Sequence, residues 1–379
     1  MDGLTAQRQW AEQWLRNTAL PFWETNGYDG QRGGFVEQLD LNNQPSNLDY
    51  KRTRVTARQL FVFSDAVRNG LSTRMDIVQG GYDFLKKSWM GDDLGWARRV
   101  TPDGVISDKT IDLYDHAFVL FALAHAGATL HSDEAVNLAK RTLSFMDRAM
   151  AHPSSKGFVS VVPYSNPSEQ NPHMHVTEAL VALYDLTRDP IFLERATGMV
   201  ELFQNTFFDK AHSVLPEFFD ANWQPLPDNL VIEPGHQFEW AWILHNYERL
   251  SGNDMRETIN ALVLTAEQHG VDPKTRLVYD QLTLDHGGLV VKSADHRLWP
   301  HTERLKASMA LLERDGTDKL AATLAAAESV NALRTRFLND RGTWMDHFHH
   351  DGRPRDSKIP SSSLYHIYLG IAEMMRVIP

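Results

Sequence analysis

Two kinds of helical segment alternate along this chain, and that alternation constrains its fold more than any other feature. Apolar residues recur at helical spacing near 4–20, 53–69, 73–90, 110–130, 132–151, 174–187, 190–207, 236–251, 254–270, 301–314, 317–338 and 361–376. Loops rich in Gly, Pro, Asp and Asn separate these segments. One kind is apolar on nearly every side, as in Phe118-Val119-Leu120-Phe121-Ala122-Leu123-Ala124, Trp240-Ala241-Trp242-Ile243-Leu244 and Leu364-Tyr365-His366-Ile367-Tyr368-Leu369. The other carries a single apolar stripe, as where Leu138, Thr142, Phe145 and Met146 oppose Lys140, Arg141 and Asp147. A helix that is apolar all round has to be buried, whereas a one-sided helix covers a surface. Six of each kind fit two concentric rings. The expected fold is all-α, an (α/α)6 barrel formed by residues 1–379 as a single domain. An open solenoid of helix pairs would alternate in the same way, but it usually needs near-identical repeats and polar capping helices. Short β-like runs, Gly157 to Val162 and Arg276 to Asp280, predict small hairpins in the loops before inner helices.

Polar residues capable of chemistry stand in the first turns of the apolar segments. Arg58, His116, His175, His236, Glu303 and His366 follow one another at intervals of 58, 59, 61, 67 and 63 residues. An ionisable group among apolar neighbours must be paired or it destabilises the fold. One such residue is ordinarily a satisfied core group, but six in step with the repeat point to a shared mouth. His236 and Glu239 lie three apart on one helix face, so Glu239 is expected to fix the imidazole tautomer. Trp299, Pro300, His301, Thr302 and Glu303 combine an aromatic face for a sugar ring with a carboxylate, though an acidic helix start looks similar. His173 and His175 open a helix as a His-x-His pair, but no third ligand stands at a metal-binding spacing, so no metal is expected. His347, His349 and His350 fall in a polar Gly/Asp/Arg loop and read as rim residues.

Composition removes whole classes of function. The absence of cysteine excludes disulfides, thiolate nucleophiles, Cys-based zinc sites and iron–sulfur clusters. A formal net charge of −11, with no long Lys/Arg run, opposes a nucleic-acid surface. No basic region followed by an apolar run opens the chain, and no stretch of 18 uncharged apolar residues occurs, so a cytoplasmic protein without a membrane span is expected. Neither a dinucleotide nor a P-loop fingerprint is present, and no cofactor is expected.

Five segments occur together in order: Lys51 to Gln59, Met174 to Glu178, Gly235 to Trp242, Trp299 to Glu303, and Ser361-Ser362-Ser363-Leu364-Tyr365-His366. The set resembles the N-acylglucosamine 2-epimerase superfamily, which includes cellobiose 2-epimerase, mannose isomerase and sulfoquinovose isomerase. The likeness covers almost the whole chain. It implies an (α/α)6 barrel and proton transfer at C2 of an opened aldose through a cis-enediol. It also implies that His366 takes the C2 proton and that His236 is the second acid–base group. Arg58 would steady charge on O1 and O2, Glu239 and Glu303 would orient the histidines or bind hydroxyls, and His175, Trp299, His116 and Trp242 would bind sugar or support the site. The Ser-Ser-Leu-Tyr-His ending is closer to the mannose isomerase branch. No match to further aromatics for a second sugar ring is found, so a monosaccharide is the expected partner.

The chemistry agrees without the family name. A proton alpha to an aldehyde needs a base poised near neutral pH, which imidazole supplies, and the resulting enolate needs a cation or donors. Aldose–ketose isomerisation, of D-mannose and D-fructose or of D-lyxose and D-xylulose, is the leading expectation, with 2-epimerisation of a monosaccharide as the alternative. A glycosidase would draw two carboxylates from Asp112, Asp115, Glu239 and Glu303. A non-catalytic sugar binder would leave the paired histidines without evident use. A monomer and a homodimer fit the sequence equally well.

Overall fold

The computed structural model describes every residue except Met1, Asn166, Asp228, Asn229 and His286. In chain order its α-helices are α1 (Asp2–Trp14), α2 (Leu20–Asn26), α3 (Thr53–Arg68), α4 (Met75–Lys86), α5 (Leu113–Leu130), α6 (Asp133–Ala149) and α7 (Gln170–Thr187). They continue with α8 (Pro190–Leu202), α9 (Pro234–Ser251), α10 (Arg256–His269), α11 (Trp299–Glu313), α12 (Lys319–Ala332) and α13 (Leu364–Val377). Each segment expected from periodicity contains a helix, with differences at the ends: the first helical stretch runs on to Asn26 rather than 20, α4 ends at Lys86 rather than 90, α5 starts at Leu113 rather than 110, and α7 starts at Gln170 rather than 174.

Two compact units divide the chain. In the unit built from 24–207 and 218–227, α3, α5 and α7 pack side by side, and α4, α6 and α8 each back their own partner. Local chemistry sets the helix ends. The Asp112 carboxylate accepts the Asp115 N–H to cap α5, Ser132 caps α6 through Ala135, and Asp189 caps α8 ahead of Pro190. Left-handed residues His131 and Arg188 stop α5 and α7. By length and composition alone α5 is apolar enough to cross a membrane, but 83% of it is buried inside the structure, as befits a core helix. The run at Val161–Val162 pairs antiparallel with Ile111–Asp112 rather than folding back on itself.

In the unit built from residues up to 23, 208–217 and 228–379, α9, α11 and α13 pack side by side. Here α10 lies on α9, α12 lies on α11, and α1 rests against α12 and α13. Leu4, Leu305, Met309, Val330 and Met374 close the core under α11. The longest ladder pairs Gln281–Asp285 with Gly288–Ser293, and a shorter one joins His296–Arg297 to His347–Phe348.

A recurrent device ties the inner helices to the tight turns before them. In α5, α7 and α11, a histidine Nδ1 lies 2.8–2.9 Å from the carbonyl oxygen four residues earlier: His116 on Asp112, His173 on Glu169, His301 on Arg297. The opposite nitrogen accepts a backbone N–H from Trp96, Phe158 or Val278, the residue that closes the preceding turn. A ring that accepts at Nε2 must carry its hydrogen on Nδ1, so all three are neutral and of one tautomer. In α9 the corresponding position is Gln237, whose amide donates to the Ser213 and Leu262 carbonyls.

Burial holds these rings well below the ordinary imidazole value, at about 4 for His116 and His173 and about 3 for His301. Unfolded, they titrate near 6.5, so between those values the unfolded chain binds more protons and stability falls as pH falls. Each ring is expected to remove up to about 2 kcal/mol between pH 7 and pH 5. Urea midpoints at the two pH values measure this. His173→Gln should flatten the slope, and an unchanged slope would refute the assignment.

Candidate active site

The first turn of α9 presents His236, with Glu233 as N-cap and Pro234 as the first helical residue. The imidazole is buried. Its Nδ1 lies 2.8 Å from Glu217 Oε1 and 3.6 Å from Glu233 Oε2. Glu217 is itself placed by its backbone N–H, which donates to the Val231 carbonyl. Burial disfavours the charged ring, but Glu217, Glu233 and Glu239 outweigh it and hold the His236 pKa up at about 9. His236 is therefore an imidazolium at neutral pH. Glu239 had been expected to orient this ring; Glu217 does so instead, from a loop 19 residues upstream. Three positions along a helix brings side chains near each other, but Glu239 turns the other way, with Oε1 3.9 Å from Lys306 Nζ.

His366 lies in α13 under a different arrangement. Its Nδ1 is 2.8 Å from Glu303 Oε1, and the other Glu303 oxygen is 2.5 Å from Lys306 Nζ. Glu303 and Lys306 are both fully buried. Trp299 contacts both histidines, its ring centre 4.9 Å from that of His236 and 5.7 Å from that of His366. Two imidazoles against one indole lie within reach of one monosaccharide. Gly235 makes the arrangement possible: a Cβ there would come within 2.4 Å of the Trp299 ring. Arg297 stacks over the same indole at 5.1 Å while pairing with Glu233 at 3.0 Å and with Asp280. Trp242 donates its indole N–H to Glu373 at 2.9 Å and lies beneath Lys306, whose Nζ is 4.1 Å from the ring centre.

The other unit carries Arg58, His116 and His175. Arg58 donates to the Tyr114 hydroxyl at 2.5 Å and stacks on Phe118 at 4.1 Å. His175 Nδ1 is 3.0 Å from Glu178 Oε2, and the Tyr114 ring meets the imidazole edge-on at 5.0 Å. His116 does not belong with them: both its nitrogens are engaged by backbone groups, and it is completely buried. The spacing count grouped it with the others because a repeat of nearly sixty residues tolerates a shift of two. Arg58, Phe118, His175 and Glu239 are each the sixth residue of their helices, Glu303 is the fifth of α11, and His366 is the sixth counted from Ser361, where a 3-10 turn leads into α13; His116 is two residues before Phe118, and His236 lies three before Glu239. Asp112 and Asp115, candidate glycosidase carboxylates, are both paired with Arg54. His347 and His349 lie 3.7 and 3.6 Å from Asp295, which also holds Arg355.

The model of N-acylglucosamine 2-epimerase (GlcNAc 2-epimerase) matches residues 33–370. The chain belongs to this family. Similar to it are a mannose-6-phosphate isomerase of Rhizobium meliloti, 32% identical over 95% of both chains, and a D-mannose isomerase of Pseudomonas cannabina pv. alisalensis, 29% identical over 97% of this chain and 94% of that one. The structure of cellobiose 2-epimerase from Bacillus thermoamylovorans superposes over 100% of both chains with a TM-score of 0.86 at 22% identity. The fold is the expected (α/α)6 barrel. As a member of the N-acylglucosamine 2-epimerase family, the chain is a sugar isomerase or epimerase, and the glycosidase alternative gives way.

Sequence reasoning missed Glu217, Tyr114 and Lys306. Glu217 sits in a loop where no periodicity marks it. Tyr114 and Lys306 were legible as polar-tipped residues in apolar segments, Lys306 three residues after Glu303.

Removing the Glu217 charge should lower the His236 pKa. In Glu217→Gln, an NMR titration of His236 is expected to fall from about 9 by a unit or more. Because the folded value exceeds the unfolded one near 6.5, this ring stabilises the native state at lower pH, and that contribution is lost as pH rises through about 9. An unmoved titration in a folded variant would rule Glu217 out as the partner.

Proposed function

We propose that this chain interconverts D-mannose and D-fructose, with D-lyxose and D-xylulose as a second pair, by moving a proton between C2 and C1. His366, oriented by Glu303, takes the C2 proton of the opened aldose. His236 gives its proton to the O1 carbonyl oxygen in the same step. The product is a neutral cis-enediol, and no charge is stranded in the interior. His236, now neutral, takes the O2 proton, and His366 returns the carried proton to C1. C1 is reduced as C2 is oxidised within one molecule, so the scheme needs no redox cofactor.

The observation that carries this reading is the pair of unlike imidazoles on one tryptophan. One is held as a cation by Glu217, and the other is paired through Nδ1 with a carboxylate. Acid and base are thus separated by environment, as two-step proton transfer requires. The long matches to a mannose-6-phosphate isomerase and a D-mannose isomerase support an isomerase over an epimerase. An unphosphorylated sugar is favoured because the cations beside the pair are committed to carboxylates: Lys306 to Glu303, Arg297 to Glu233 and Asp280. A second reading, C2 epimerisation, is favoured by the placement of both rings against one indole, since the proton would leave one face and return to the other.

NMR of purified protein with D-mannose in D2O separates the readings. Fructose is the expected product, with protium at C1 where His366 returns the proton it took and deuterium where that proton exchanges with solvent first. Glucose as product would establish the epimerase instead, and the formation of neither would reject both. D-Mannose 6-phosphate run in parallel tests the preference for a neutral sugar. His366→Ala should abolish product formation while the far-ultraviolet circular dichroism stays helical. For wild-type protein, kcat/KM should fall as pH rises past about 9, where His236 loses its proton.

A further inference from the structure

Lys306 sits where a lysine is costly. Its side chain has no solvent exposure, and an isolated ammonium so placed would destabilise the fold. The groups that face it account for its charge: Glu303 at 2.5 Å, Glu239 at 3.9 Å, and the Trp242 ring at 4.1 Å to its centre. The indole is pinned in turn, because its N–H donates to Glu373 and Arg376 pairs with that carboxylate at 3.0 Å. The ammonium is thus held by two carboxylates and one π-face, on the side of Glu303 opposite His366.

We propose that Lys306 is a positioning residue for the proton-transfer base: it holds Glu303 as an anion, so that His366 keeps its hydrogen on Nδ1 and reacts through Nε2. The inference rests on the proton-transfer reading above. A carboxylate only accepts hydrogen bonds, so an ionised Glu303 demands an Nδ1–H from the ring 2.8 Å away. A protonated Glu303 would do the reverse. It would donate to Nδ1, leave the hydrogen on Nε2, and present the substrate with a donor where a base is required. In a closed interior that also holds Glu239, the Lys306 ammonium against Glu303 favours the ionised form, and the Thr302 hydroxyl, 3.4 Å from Glu303 Oε1, adds a weaker donor. The lysine touches no substrate in this scheme; it selects a tautomer.

The test reads the tautomer directly. Full-length protein is labelled with 15N, and the His366 ring signals are assigned by comparison with His366→Asn. Wild type should carry its hydrogen on Nδ1 at neutral pH. Lys306→Met should carry it on Nε2, with kcat for mannose reduced at least about 100-fold and KM changed only a few-fold, since a wrong tautomer removes chemistry rather than binding. Lys306→Arg should recover part of the loss. In a Glu303→Gln background, Lys306→Met should cost little more, because both changes break one relay. If Lys306→Met does not fold, Lys306→Gln removes the charge while keeping a hydrogen-bonding tip, and the same tautomer change is expected. Retention of Nδ1–H in either folded variant, or losses that multiply in the double variant, would overturn the proposal. The tautomer is read without substrate, so wild-type protein that forms neither fructose nor glucose from mannose would sink the catalytic reading without touching the assignment to Lys306.

Discussion

Every ionisable group buried at the start of an inner helix must find a partner, and the kind of partner decides what that group becomes. Backbone partners keep a histidine neutral. His116, His173 and His301 each bridge a carbonyl and an N–H, and burial then pushes their pKa values down to about 4, 4 and 3. Carboxylate partners act the other way. His236, equally buried, is carried to about 9 by Glu217 and its acidic neighbours. The same side chain in the same kind of helix is a rivet in one place and a reservoir of protons in another.

Family membership makes the chain a sugar isomerase or epimerase, and in the proposed mechanism the environments of the two candidate histidines divide the work of acid and base between them. Two imidazoles of equal basicity would compete for a proton. Here Glu217 and Glu233 both face His236, whereas the Glu303 carboxylate that faces His366 is shared with the Lys306 ammonium. Trp299 supplies a flat apolar wall that both imidazoles contact, and Gly235 lets that wall approach the α9 backbone. Few side chains carry the chemistry; several more fix its geometry.

The fold was legible because burial leaves a periodic signature. An all-round apolar segment such as 113–130 has one destination in water, and the alternation with one-sided helices repeats it along the chain. Pairing was not legible, because it depends on loops that follow no period. The sequence proximity of Glu239 to His236 suggested a partnership that Glu217 holds, and only the fold brings residue 217 back to 236. His116 was misplaced for a related reason. Counting at intervals of 58 to 67 residues finds the right helix but not the right turn of it.

That two-residue discrepancy separates stability from chemistry. At the fourth residue of a helix, or the third in α11, the side chain reaches back to the preceding tight turn, and histidine or glutamine there fastens helix to loop: His116, His173, Gln237 and His301. Two residues further on, the side chains have turned through about 200° at 3.6 residues per turn, and those positions hold Arg58, His175, Glu239, Glu303 and His366. The fastening contacts and these polar side chains therefore lie on different faces of their helices. The rivets keep the helix starts fixed to their loops, so a polar side chain two residues beyond them inherits a defined position, as Glu239 does beyond Gln237 and Glu303 beyond His301.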